Sequence, residues 1–365
     1  MALMVEMFEM KIIDLCVERY RVQRRPHRWR SGLRVSPGGE GIEQLLRVRT
    51  DAGIDGLCWI GAEPTHAQLI ERILKPACAG VDVWMREQLW QEIWEIDRLE
   101  VLPVAALGWV DVALWDIQAK VAKIPCYQLM GGHKSKVRAY ASTITLDSTD
   151  DYLRLIDDCL QRGYRAVKLH VWGETIRDMA LARAVRRHVG GDVDLMLDGS
   201  GGYSYDDSVR LGEVLQEEGY LWFEEPMREH SLLAYERLCA RLDIAVLGAE
   251  MSPGAHFNAA EWVGRAACDR LRTSWWCKGG LTGALKVAHL AEARQMAADV
   301  HGDDLASLHL SCALANSQFV ELLVPEDVFG NATVHGRLHP DDGGFVAVPA
   351  TPGFGWEPDL AARVA

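Results

Sequence analysis

The sequence predicts an α/β protein, a TIM-like barrel of alternating strands and helices preceded by a smaller α+β region and followed by a short tail. Three observations carry this expectation. From Val137 onward, short apolar runs alternate with helical stretches, the rhythm of consecutive β/α units. Within that stretch Asp198, Glu224 and Glu250 each close an apolar run, and each follows the last by 26 residues, a spacing that fits one strand, one helix and two loops. Ahead of it, Ile124-Pro-Cys-Tyr-Gln-Leu-Met-Gly-Gly132 breaks the pattern and marks a boundary, dividing the chain into 1–132, 133–330 and 331–365.

In the first region, Ser36-Pro-Gly-Gly-Glu-Gly41 reads as a turn, and Leu46–Thr50 and Gly56–Ile60 read as two short strands. Pro64–Leu74, Met85–Ile96 and Pro103–Val121 read as helices, the last with mixed amphipathicity. The barrel strands expected are Val137–Ser142, Ala166–Val171, Val193–Leu197, Leu221–Phe223, Ala245–Gly248, Leu271–Trp275 and Ala297–Val300, with Leu305–Leu310 as the eighth. Helices between them include Asp150–Arg162, Thr175–Val189, Asp206–Glu218, Ser231–Leu242 and Leu281–Ala293. The tail, Gly336–Pro358, is rich in Gly, Pro and Asp around the apolar run Phe345–Val348, and reads as a segment that returns to the first region.

The bulk properties narrow the function. A formal charge of −13 argues against nucleic acid or an anionic membrane surface as partner, since both call for a basic face. No apolar stretch approaches membrane-spanning length, and Met1–Asp14 lacks the apolar core and cleavage site of a signal peptide. The nine cysteines are scattered and form no Cys-x-x-Cys pair, which points to a reducing, cytoplasmic setting.

Strand ends on one side of a barrel converge on a single mouth. Three carboxylates gathered there would offer hard oxygen ligands to a divalent cation such as Mg²⁺. Lys168 and His170, two apart on the second expected strand, share a face, and a lysine beside a cation should have a depressed pKa and serve as a base. His301 ends the seventh strand on the opposite side of the ring, with His309 a weaker alternative and Glu321 further on. Two bases across a cation suit abstraction of a proton α to a carboxylate, the ion stabilising the charge that develops.

At these residues the chain resembles the enolase superfamily, and within it the mandelate racemase subgroup. The likeness rests on Gly108-Trp-Val-Asp-Val-Ala-Leu-Trp-Asp-Ile-Gln-Ala-Lys120 with the following Met130-Gly-Gly132, then Val167-Lys-Leu-His170, Leu195-Met-Leu-Asp198, Trp222-Phe-Glu-Glu-Pro226, Gly248-Ala-Glu250, Gly279-Gly-Leu-Thr-Gly283 and Asp299-Val-His301. It implies a modified (β/α)7β barrel under an α+β capping domain that the tail completes, and a homo-oligomer. It implies Asp198, Glu224 and Glu250 as Mg²⁺ ligands, with Glu225 a neighbouring acid that is not a ligand. Lys168 and His301 would be the acid/base pair, and Glu321 would hydrogen-bond the substrate carboxylate. The segment Tyr20–Arg30, with five arginines, is similar in place to the subgroup's lid, and makes Arg24, Arg25 and His27 the candidate substrate-binding residues. The chain departs from the pattern at His170 (usually Lys), at Ser274 (usually an Asp that orients the histidine) and at Ser200 (often Asn).

The leading expectation is Mg²⁺-dependent dehydration of a sugar acid, an aldonate or aldarate, to a 2-keto-3-deoxy acid. The alternatives are a racemase or epimerase of a 2-substituted carboxylate, and a metal-binding barrel with a binding or structural role.

Overall fold

A computed structural model describes residues 9–30, 34–330 and 338–364. The first eight positions and the start of the tail at Gly336 lie outside the described residues. Among the described residues, fifteen strands run in chain order: β1 Ile12–Arg24, β2 His27–Trp29, β3 Arg34–Ser36, β4 Gly39–Thr50, β5 Gly56–Gly61, β6 Lys136–Thr143, β7 Ala166–His170, β8 Asp194–Asp198, β9 Trp222–Glu224, β10 Ala245–Gly248, β11 Arg270–Thr273, β12 Ala298–Val300, β13 Phe319–Val324, β14 Phe345–Ala347 and β15 Arg363–Val364.

The capping region is an antiparallel sheet in the order β15-β1-β4-β5. The tail does return to it: Arg19 pairs with Val364 and Tyr20 with Arg363, and the Arg363 guanidinium reaches Glu18 at 3.2 Å. The sheet is larger than expected. β1 and β4 extend from Ile12/Thr50 to Arg24/Gly39, so most of what reads as a lid loop from Tyr20 is strand. The period-two signal of β1 is broken by an irregularity between Ile12 and Asp14 and masked by its many charges, although Tyr20 and Val22 are buried. The short strands β2 and β3 pair with each other as a separate two-stranded sheet.

The helix Ala106–Ala122 joins the two parts. Every residue from Ala106 to Ala119 is buried, which explains why its pattern is not that of a one-faced surface helix. Gly56 of the sheet lies against its Ala113 carbonyl, and its Gly108 lies against Gly280 of the barrel helix Gly280–Ala293; a Cβ at either glycine would stand within 2.2 Å of backbone. Asp111 then accepts from Thr282 N at 2.9 Å and so caps that barrel helix.

The barrel is parallel, in the order β12-β11-β10-β9-β8-β7-β6-β13, and among the described residues no ladder joins β12 to β13, so the ring is nearly closed. The eighth strand is β13. Leu305–Leu310 instead belongs to the helix Leu305–Ala313, whose start is fixed by Asp304 accepting from Ser307 N at 2.7 Å. This helix is buried on all sides, so its unbroken apolar run mimics a core strand. Tyr140, Ala166, Met196, Trp222, Leu247 and Phe319 fill the bottom of the barrel as one apolar layer. Two residues further along their strands, and therefore on the same inner face, stand Ser142, Lys168, Asp198, Glu224 and Glu321. Among the described residues, no helix is long and apolar enough to cross a membrane.

Candidate active site

The polar layer opens into a cavity of about 750 Å³ at the carboxyl ends of the strands. His170, Asp198, Glu250, His301 and Glu321 line it, together with Glu225. Asp198 and Glu250 reach it by different routes. Asp198 stands on its strand two residues above Met196, whereas Glu250 is three residues above Leu247. Ala249, at φ 73°, turns the chain so that the odd residue still faces the mouth. The equal spacing in sequence therefore does not mean equal backbone geometry.

Lys168, Glu224 and Arg272 lie one layer deeper, at 1%, 0% and 0% exposure, and do not line the cavity. Lys168 Nζ stands 2.9 Å from Glu321, 3.0 Å from Glu224 and 3.4 Å from Asp198. The expected depression of its pKa is not found. Burial pushes the ammonium down, but Glu224 and Glu321 outweigh it and hold it well above the usual lysine range. Arg272, on β11, was absent from the sequence expectations. Its Nε lies 2.9 Å from Glu224 and 3.3 Å from Glu250, its Nη2 binds Glu321 and the Tyr140 hydroxyl, and its Nη1 donates to the Val300 carbonyl. Strand alternation held the signal for it, because Arg272 shares the parity of Ser274, the position that the resemblance singles out.

The carboxylates answer this field unequally. Burial raises Glu224 even though Arg272 and Lys168 oppose it. Burial would raise Glu250 as well, but His301 and Arg272 hold it down to about 2. Asp198 and Glu321 are likewise held below the carboxylate range, Asp198 by His170 and Lys168, Glu321 by Lys168 and Arg272, in each case against burial. Glu225 goes the other way: burial and the neighbouring Glu250 and Glu229 push it well above its ordinary value.

The two histidines face the cavity from opposite sides. His170 Nδ1 lies 2.6 Å from the Thr143 carbonyl, an acceptor only, so Nδ1 donates there, while Nε2 lies 3.1 Å from Asp198. His301 Nδ1 lies 3.3 Å from Glu250 and 3.4 Å from Glu321. Burial lowers its basicity, yet these two carboxylates hold the ring well above the usual histidine range. Asp299 takes no part, being bound in two contacts to Arg270 at 2.8 and 3.0 Å. Ser274 Oγ turns to Cys277. His309 is remote from the site: its Nδ1 accepts from Tyr127 N, and burial pushes it down to about 3.

The roof of the cavity is aromatic. Trp29, Trp276 and Phe329 line it; the Trp29 ring packs edge-on against His170 at 4.8 Å and stacks with Phe329 at 6.2 Å. Arg24, Arg25 and His27 stand outside the cavity wall. Arg24 is paired with Glu43 at 2.6 Å, Arg25 is exposed, and His27 packs behind Phe329 at 5.4 Å.

Asp198, Glu224 and Glu250 suit Mg²⁺ by chemistry. They are hard oxygen donors on neighbouring strands, and Asp198 electrostatically disfavours ionisation of the other two, a repulsion that a cation between them would relieve. Their oxygens here face Lys168, His170, Arg272 and His301, and among the described residues no three acidic, histidine or cysteine groups are gathered as a metal cluster.

An α/β barrel with acid/base groups and carboxylates at its mouth and a separate cap over it defines an enzyme class, and comparison with known proteins identifies the family. Residues 151–362 match the enolase C-terminal domain-like family, and residues 25–131 the mandelate racemase / muconate lactonizing enzyme N-terminal domain. The chain belongs to the mandelate racemase / muconate lactonizing enzyme family of the enolase superfamily. A magnesium-complexed D-glucarate dehydratase from Agrobacterium tumefaciens superposes with a TM-score of 0.90 at 34% identity, over 98% of this chain and all of that one. Arabinonate dehydratase of Saccharolobus solfataricus is 28% identical over 79% of each chain. The 3,6-anhydro-alpha-L-galactonate cycloisomerase of Streptomyces coelicolor is 28% identical over 76% of this chain and 80% of its own.

Proposed function

We propose that the protein is a Mg²⁺-dependent dehydratase of a sugar acid. The observation that carries this reading is the pair of histidines facing one cavity from opposite sides, with Asp198 and Glu250 between them. Asp198, Glu224 and Glu250 would hold the ion, which when bound supplies Lewis-acid stabilisation of charge developing on the substrate carboxylate. One histidine takes the α-proton on Nε2. The electron pair left behind forms the Cα–Cβ double bond, the C–O bond at Cβ breaks, and the other histidine gives the departing hydroxyl a proton so that it leaves as water. The resulting enol tautomerises to a 2-keto-3-deoxy acid.

In this reading His170 replaces Lys168 as the base on β7, because His170 lines the cavity and Lys168 does not. Lys168 supplies fixed positive charge behind Glu321 and Glu224. Trp29 and Phe329 cover the substrate, with Arg24, Arg25 and His27 behind them. Dehydratases among the relatives support the choice of reaction.

A stereochemically complete set of aldonates and aldarates, incubated with Mg²⁺ and assayed for 2-keto acids, tests the reading. Turnover of one member that is lost in both His170→Asn and His301→Asn is the expected result. Solvent deuterium appearing at Cα without any keto acid would replace it by racemisation or epimerisation, which two opposed bases also permit. No reaction of either kind would leave a barrel with a binding role.

A further inference from the structure

His301 must present Nε2 to the substrate, and that requires something to hold Nδ1. The groups on its own strand and the adjoining one are otherwise engaged: Asp299 by Arg270, Ser274 by Cys277, Asp304 by Ser307 N and the Trp275 indole. Three groups stand around Nδ1: the carboxylates of Glu250 at 3.3 Å and Glu321 at 3.4 Å, which can accept from it, and Arg272 Nη2 at 3.4 Å, a donor only, whose hydrogen is taken by the same Glu321 oxygen. Glu250 is also a candidate metal ligand, so its charge would be shared with an ion. Glu321 is fixed on every side by this chain's own residues. Its Oε1 accepts from Ser142 Oγ at 2.7 Å and faces Lys168 Nζ at 2.9 Å, while its Oε2 is held by Arg272 Nη2 and faces His301. A carboxylate so surrounded is a rigid acceptor with little freedom to follow a substrate.

We propose that Glu321, clamped by Arg272, is the positioning residue that orients His301 for proton transfer. The proposal rests on the reading of His301 as an acid/base, and it gives Glu321 a role different from binding the substrate carboxylate. Carboxylate and guanidinium together do from β13 and β11 what an acid at position 274 would do from the end of β11 alone. Arg272 keeps Glu321 ionised and immobile, and Lys168 closes the other side. The physical requirement is the one met wherever a carboxylate holds an imidazole in one tautomer, and loss of that hold leaves the ring in place but wrongly protonated.

The test is proton NMR of the Mg²⁺-loaded protein, paired with steady-state kinetics. A downfield ring N–H resonance, assigned to His301 by its loss in His301→Asn, is expected in the wild type and absent in Glu321→Gln. Glu321→Asp retains the charge beside Lys168 and Arg272 but shortens the reach, so it guards against misfolding and should lose the same resonance. On a turned-over acid sugar, kcat in both variants should fall about 10²- to 10⁴-fold with KM within a few-fold of wild type. A resonance that persists in Glu321→Gln makes Glu250 the holder and overturns the proposal, as does its absence from the wild type. A raised KM at unchanged kcat overturns it too, because Glu321 would then be binding substrate. If no acid sugar reacts, the proposed function fails, while the resonance still decides the role of Glu321.

Discussion

The floor and the roof of the cavity use charge in opposite ways. In the floor, strand alternation drives Lys168, Asp198, Glu224, Arg272 and Glu321 inward, where they are buried and satisfy one another. In the roof Arg24 and Arg28 do not turn inward. Arg24 is matched by Glu43 and Arg28 pairs with Asp147, so Trp29 and Phe329 make the surface that meets the cavity. A charged residue goes inside only where the backbone leaves it no other side and a counter-charge is already present. A hairpin at the rim offers it water and nearby acids instead.

That contrast can be broken most directly at the proposed base on β7. His170→Asn, which keeps the shape but removes the proton carrier, should lower kcat by about 10²- to 10⁴-fold without altering the circular dichroism spectrum; a loss under threefold would return the β7 role to Lys168. Next in size is Arg272→Met in metal-free protein. It strands Glu224 and Glu321 without their guanidinium, and urea unfolding should report a loss of about 3–5 kcal/mol. A neutral result would mean that the floor is not held by its pairs.

The roof predicts a smaller and differently shaped response. Trp29→Ala should raise KM about tenfold, through lost aromatic contact over His170, whereas Arg24→Ala should leave KM within about twofold and cost roughly 1 kcal/mol of stability. The reverse order of KM effects would restore the arginines as the substrate contacts.

The smallest effect is a pH dependence of the metal-free protein. Glu250, Asp198 and Glu321 titrate below their ordinary values in the folded state, so their stabilisation is complete above pH 4.5 and is lost as pH falls, for Glu250 through about 2. His301 titrates above its ordinary 6.5, so its contribution is complete below that pH and is lost as pH rises through the higher folded value. Urea midpoints should therefore fall on both the acid and the alkaline side. Glu250→Gln should flatten the acid limb, and an unchanged limb would place the acid sensitivity elsewhere.

Much of the barrel was legible because a β/α repeat writes itself as alternating apolar runs and caps. The seven expected strands from Val137–Ser142 to Ala297–Val300 all occur, with ends shifted by a residue or two. Failures came where one local pattern has two solutions. Leu305–Leu310 is apolar on every side because its helix is buried on every side, and β1 is obscured by charges that find partners on β4 and β15. Arg272 lay in plain view at the right parity, yet a lone arginine in an apolar run does not announce which anions surround it.

By itself the sequence determined the alternation of the first seven barrel strands with helices and the inner face of those that carry Lys168, Asp198 and Glu224, because these depend on periods of two and of one β/α unit. Pairing was decided only by the tertiary structure. Whether Lys168 is a free base or a buried counter-ion, whether Glu250 faces inward from an odd position, and whether Arg24 or Trp29 meets the cavity depend on distances between elements far apart in the chain. Electrostatics in a buried site is set by those distances and by the exclusion of water, and neither is written in any local pattern.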